Sequence, residues 1–222
     1  MARRRVSRFV SFFAAGALAA CGGTSTSSTP TSRATSAAAS ATARAAPRPG
    51  PEGIPLEAGP ALAAAATTTP GGAVDGVQCA PIEQLVYHIH AHLQVYVDGH
   101  PRALPAAIGL IGPVAERTPF GPFYAAQRCY YWLHTHASDG VIHIESPSVR
   151  VYTLGNFFDE WRQPLSRGQV AGARGKVTAF FDGKPWTQNP RVIPLLPHAS
   201  IELDVGAPTV KAQVISWAGT NL

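Results

Sequence analysis

Residues 87–97 read Tyr-His-Ile-His-Ala-His-Leu-Gln-Val-Tyr-Val. Apolar and polar side chains alternate without a break, and only an extended strand sorts that order into two uniform faces. One face carries Ile89, Ala91, Leu93, Val95 and Val97; the other carries His88, His90, His92, Gln94 and Tyr96. Asp98-Gly99 follows at once, a pair that tolerates the two positive φ angles of a type I′ turn, and returns the chain through Arg102 to Leu104. The expected unit is a β-hairpin with one apolar face and one histidine-lined face.

Two more hairpins share this logic. Tyr130 to His136 and Val141 to Glu145 flank Asp139-Gly140, and Lys176 to Phe181 and Lys184 to Trp186 flank Asp182-Gly183. Between them Leu154, Phe157, Phe158 and Trp161 fall at helical spacing behind Thr153, a favourable N-cap, with Pro164 ending the helix. Ser200 to Val205 reads as a final strand. Residues 95–101 echo residues 179–185, which points to two similar hairpins and not to a duplicated domain. The segment 105–128, rich in Pro and Gly with scattered apolar residues, is either a second core cluster or a loop over a site.

The expected class is therefore a β-rich α+β fold of hairpins plus one short helix. Over residues 130–206 the order of elements resembles the β-grasp fold of ubiquitin-like and sulfur-carrier proteins, notably Thr153 to Phe158 leading into Phe181 to Lys184, then Ile193 to Leu195 and Ile201 to Leu203. The resemblance implies a β-grasp-like sheet with the histidine-lined hairpin as an extra N-terminal unit. It does not imply carrier chemistry, because those proteins end in Gly-Gly and this chain runs on to Thr220-Asn221-Leu222.

Six of the eight histidines lie in two short segments: His88, His90 and His92 in one, His134, His136 and His143 in the other. If Asp139-Gly140 is a two-residue turn, His136 sits opposite His143 and His134 opposite Glu145, close enough to converge on one ion. A strand pairing that brings the two histidine faces together adds His88, His90 and His92 to that set. Imidazole with carboxylate suits Zn, Cu, Fe, Ni or Mn without choosing among them. His100 and His198 stand outside the clusters and read as ordinary surface histidines. The His-x-His-x-His and His-Thr-His arrangement resembles that of uncharacterised exported proteins, which implies no activity.

The first residues supply the cellular context. Arg3, Arg4, Arg5 and Arg8 precede an apolar run from Phe9 to Ala20, too short to span a bilayer, which takes about 20 residues. Arg4-Arg5 fits a twin-arginine signal poorly. The Leu-Ala-Ala-Cys ending resembles the lipobox of bacterial lipoproteins, which implies cleavage after residue 20 and lipid on Cys21, anchoring the chain outside the cytoplasm. Residues 21–74 are Ser, Thr, Ala, Pro and Gly with few large apolar side chains, and read as a disordered tether; an Ala-rich helix at 61–66 is too short to persist. Residues 75–222 form a single β-rich domain. The seven Arg and two acids of residues 1–74 carry the whole net charge of +5, so the domain itself is near neutral and asks for no nucleic acid.

Cys79 and Cys129 remain after Cys21. Outside the cytoplasm a disulfide is the simplest outcome, with a free thiol pair or metal-binding thiolates as the alternatives. Cys129 is an odd number of residues from His134, on the other side of the strand, which favours the disulfide. Three functions fit these residues: a membrane-anchored metal-binding envelope protein, a metal-dependent enzyme, or a non-catalytic interaction module without metal. Glu145 with Tyr130, Tyr131 and Trp132 would serve the enzyme, although neither HExxH nor GxSxG is present. Protein partners are unspecified.

Overall fold

The computed structural model describes residues 48–65 and 72–222. The signal and Cys21 lie outside the described residues. Among the described residues the strands are β1 (Cys79–Ala80), β2 (Tyr87–Val97), β3 (His100–Arg102), β4 (Leu110–Thr118), β5 (Gly121–Tyr131), β6 (Leu133–His134), β7 (Val141–Ser146) and β8 (Tyr152–Thr153). Helix α1 (Leu154–Glu160) follows, then β9 (Leu165–Ser166), β10 (Gln169–Val170), β11 (Ala173–Arg174), β12 (Val177–Phe181), β13 (Lys184–Trp186), β14 (Pro194–Leu195) and β15 (Ser200–Val205).

The main sheet runs β13-β12-β15-β2-β7-β6, with β3 on the far end of β2. β2 pairs with β15 in parallel over His92 to Val97, and with β7 antiparallel over Tyr87 to His92. The histidine-lined hairpin expected as an additional N-terminal unit thus supplies the central strand. Both hairpins with an Asp-Gly turn and a matching echo form as expected: Asp98 and Gly99 at φ 50° and 75°, Asp182 and Gly183 at φ 49° and 72°.

One face of the sheet is apolar. Ala91, Leu93, Val95, Ile142, Ile144, Leu133, Ile201, Leu203 and Val205 form one buried core with Leu154, Phe157, Phe158 and Trp161 of α1. Thr153 caps the helix and makes a reciprocal capping box with Asn156. The helix stops at Glu160, before Pro164, where Arg162 takes a left-handed conformation at φ 60°.

The opposite face carries His88, His90, His92, Gln94 and Tyr96 of β2, Ser200, Glu202 and Asp204 of β15, and His143 and Glu145 of β7. It is covered as well. Asp204, Glu202 and Ser200 accept hydrogen bonds from the backbone N–H groups of Val210, Gln213 and Ile215, which lays residues 210–215 along it.

Residues 48–65, assigned to the tether from composition, belong instead to the folded unit. Ala61 forms a parallel bridge with Ala103, in which Leu62 N–H donates to the Ala103 carbonyl and Ala103 N–H to the Pro60 carbonyl; Leu104 N–H donates to Glu57, and Trp161 donates its indole N–H to the Ala64 carbonyl. Ile54 is buried. A few apolar and acidic side chains anchor a segment whose average composition resembles a linker.

The insert 105–128 combines the two expected roles: Ile108 and Ile111 join the buried core, while Phe123 and Tyr124 lie against His136. Most of it forms the long hairpin β4–β5, turning at Pro119-Phe120. β1 joins it, and the Cys79–Cys129 disulfide forms across that pair with a Cα separation of 5.5 Å. Closing a loop of this length stabilises the fold by about 4 kcal/mol in the chain-entropy model.

Candidate metal centre

Strand β7 is the axis of the site. On one side β2 sets His90 opposite His143 and His88 opposite Glu145; on the other β6 sets His134 opposite His143. Directly paired residues on one face have Cβ atoms about 5 Å apart, within reach for imidazoles to meet.

The register differs from the expected one by two residues. His134, not His136, lies opposite His143, because Asp139-Gly140 does not form a two-residue turn. Thr135 turns its backbone aside, donating its N–H to Ile108 and accepting from Ala107, and the Asp139 side chain accepts from Val141 N–H. A slip of two keeps every side chain on its face, whereas a slip of one would have dispersed the cluster.

His136 therefore sits in the connecting segment, where β5 holds it. Its Nδ1–H donates to the Tyr124 carbonyl at 2.6 Å, Tyr124 N–H donates back to the His136 carbonyl at 3.0 Å, and Phe123 stacks on its ring at 4.4 Å. His134 likewise directs Nδ1–H to the Tyr131 carbonyl at 2.7 Å. Fixing both Nδ1 protons on carbonyls leaves each Nε2 with a bare lone pair. Those two Nε2 atoms face each other at 3.0 Å.

A second convergence lies beside β2. His88 Nε2, His90 Nε2, His143 Nδ1 and Glu145 Oε1 form a closed ring in which each neighbouring pair is 3.1 Å apart. Among the described residues, two sets of donors lie within 4.8 Å of one another: His88, His90, His143 and Glu145, and His134, His136, His143 and Glu145. These sets are spaced to hold a metal ion. Six of the seven side chains singled out from sequence belong to them.

His92 is the exception. It shares the face but sits a full residue pair further along, where its Nε2 donates to the Asp139 carbonyl at 2.9 Å. Burial drives its pKa down to about 4. His100 is exposed on β3, and His198 stacks on Trp217; neither is in a set. Of the aromatic residues considered for a pocket, Tyr130 lies edge-on to His134 at 5.6 Å, while Tyr131 faces the apolar core.

Two carboxylates escaped the sequence reading. Glu52, from the segment taken as tether, accepts from His143 Nε2 at 2.6 Å, and Glu83 approaches His136 Nε2 at 3.4 Å. Glu52 and Glu57 are the sole acids of residues 1–74, interleaved with Ile54 and Leu56. That pairing of acid with large apolar residue was the available signal.

The electrostatics separate His143 from its neighbours. Burial lowers the His90 pKa to about 2 and that of His136 to about 4, helped by the His143 charge, and holds His134 well below the ordinary value. Burial opposes charge on His143 too, but hydrogen bonds to Glu145 and Glu52 outweigh it and raise its pKa to about 9. For Glu52, burial pushes upward and the His143 hydrogen bond and charge prevail, holding it low. A proton on His143 thus occupies the place of a cation among carboxylates. His90, His134, His136 and His143 are buried and convergent, with His88 at the exposed edge of the cluster, which is not how a solvated polar strand face behaves.

No known family, curated protein or solved structure matches the chain.

Proposed function

We propose that this is a metal-binding protein of the bacterial envelope, held to a membrane by lipid on Cys21, whose histidine and glutamate cluster binds a first-row transition ion. The observation that carries the metal reading is the His134–His136 contact. Two lone pairs 3.0 Å apart repel, and placing a proton between them requires an imidazolium that burial opposes at both rings. A cation relieves the contact, and the Nδ1–H bonds to backbone carbonyls are the supporting shell that orients histidine ligands. The donor set of imidazoles with one carboxylate suits Zn, Cu, Ni, Fe or Mn.

The envelope setting rests on the N-terminal signal and its lipobox-like end, and is consistent with a disulfide in the folded unit. The parallel β2–β15 pair at the sheet centre, with one helix on the apolar face, supports the β-grasp reading.

Metal analysis of the full chain tests the proposal. At least one ion per chain is expected in the parent after exposure to Zn(II), and none in the His136→Ala, His143→Ala double variant, which cuts both sets. His100→Ala should bind as the parent does. Equal metal content in parent and double variant would remove the site. Separately, Cys21→Ala should release the protein from membranes, and its retention in the membrane fraction would contradict the anchor.

A metal-dependent enzyme is the second reading. It is favoured by a cleft of about 350 Å³ at His88, His90, Pro197, His198 and Leu222, which borders one donor set and gives a substrate access to it. A bound ion there would act as a Lewis acid or redox centre. Turnover of an added ester, peptide or redox substrate by the metal-loaded chain, lost with the metal, would decide for it.

A further inference from the structure

The metal reading leaves open how many ions the cluster holds, and the donor geometry answers it. Six donors around one ion, with bonds of about 2.1 Å, would all lie within about 4.2 Å of one another. Here the donors fall into two sets of four and not into one set of six. The His88–His90 pair belongs to one, the His134–His136 pair to the other, and His143 and Glu145 to both.

One ion cannot satisfy both sets. With an ion among His88, His90, His143 and Glu145, the bare Nε2 atoms of His134 and His136 still face each other at 3.0 Å. With an ion at His134 and His136 instead, the 3.1 Å ring of His88, His90, His143 and Glu145 remains. Each imidazole nitrogen in that ring has a single in-plane direction for a proton or a lone pair, yet each has two neighbours in contact. Three nitrogens cannot place protons along four contacts.

Glu145 lies between the sets. Its Oε1 is 3.1 Å from His88 Nε2 and from His143 Nδ1, and 3.8 Å from His134 Nε2. Its Oε2 is buried, on a side chain 2% exposed, and has no hydrogen-bond partner among the described residues. A buried carboxylate oxygen without a partner is costly, and a cation is the partner that an imidazole-lined pocket lacks.

We propose a two-ion centre that shares the Glu145 carboxylate: one ion held by His88, His90, His143 Nδ1 and Glu145, the other by His134, His136 and the same Glu145 carboxylate. This rests on the metal reading above and extends it from a site to a pair of sites. Histidine pairs two residues apart on β2, and at the end of β6, supply the outer ligands, and β7 between them supplies the shared ones.

The test is the number of ions per chain and their coupling. The full chain, stripped with chelator, is dialysed against Zn(II) and analysed for metal and protein; two ions per chain are expected. The His88→Gln, His90→Gln variant and the His134→Gln, His136→Gln variant should each retain one. A measurement that needs no variant accompanies this: the parent loaded with two equivalents of Cu(II) should give a spin-coupled electron paramagnetic resonance spectrum, and Glu145→Gln should uncouple it. One Zn(II) per chain in the parent, or two isolated Cu(II) spectra, overturns the two-ion centre while leaving the metal reading standing. No bound ion at all overturns both.

Discussion

The main sheet buries both faces, and the two are opposite in chemistry. On the α1 side Leu93, Ile142, Leu203, Phe157, Phe158 and Trp161 close a core that is apolar throughout. On the other side the same strands and the β6–β7 connection bury His90, His134, His136, His143, Glu145, Glu202 and Asp204. Burial of each large apolar side chain stabilises the fold by about 1.5–3 kcal/mol, whereas burial of an unpaired polar group costs a comparable amount. The apolar face is therefore a source of stability, and the polar face is held in place by it. A fold that accepts a buried face of imidazoles and carboxylates uses that face for something other than cohesion.

Alkaline pH separates the faces most. His143 has its folded pKa raised to about 9, above the usual 6.5, so its stabilising contribution is complete below 6.5 and is lost as pH rises through 9. Burial raises Glu57 and Asp139 to about 8, the latter aided by the Glu52 charge; both stay neutral in the folded chain after ionising in the unfolded one, so stability falls from about pH 4 up to their folded pKa near 8, overlapping the His143 loss between about pH 7 and 8. The metal-free chain should lose on the order of 5 kcal/mol between pH 7 and 9 in urea unfolding. A flat profile over that range would mean that the polar face is electrostatically like the apolar one.

Trp161→Ala probes the other face. It empties a fully buried position and should cost about 3–5 kcal/mol in urea unfolding, with the same metal content per folded chain as the parent. Loss of metal from molecules that remain folded would show that the two faces are not separable. At the small end, His100→Ala on exposed β3 should change stability by less than about 0.5 kcal/mol, a control that distinguishes a histidine of the cluster from a histidine as such.

What was legible in the sequence was local. Strand faces follow from a period of two, the Asp98-Gly99 and Asp182-Gly183 turns from their φ demands, and the α1 stripe from its spacing and the Thr153 cap. The convergence of His134, His136, His143 and Glu145 was legible for the same reason, because face membership survives a two-residue error in register. The register itself was not, since it depends on Thr135 bonding to Ala107 and Ile108 from a distant segment. The β4–β5 hairpin was missed because most of β4 faces solvent and carries no alternation. Glu52 was missed because a 91-residue separation in sequence hides its contact with His143.

The central claim is that the polar face is arranged around a cation, and the direct measurement is the stability of the metal-free chain with and without added Zn(II). Urea unfolding at pH 7 should show a midpoint that rises with Zn(II), by about 2.7 kcal/mol at a hundredfold excess over the dissociation constant, because binding to the folded state alone stabilises it. The rise should vanish in the His136→Ala, His143→Ala chain and persist in Trp161→Ala. A midpoint that ignores Zn(II) and the other first-row divalent ions would contradict the account.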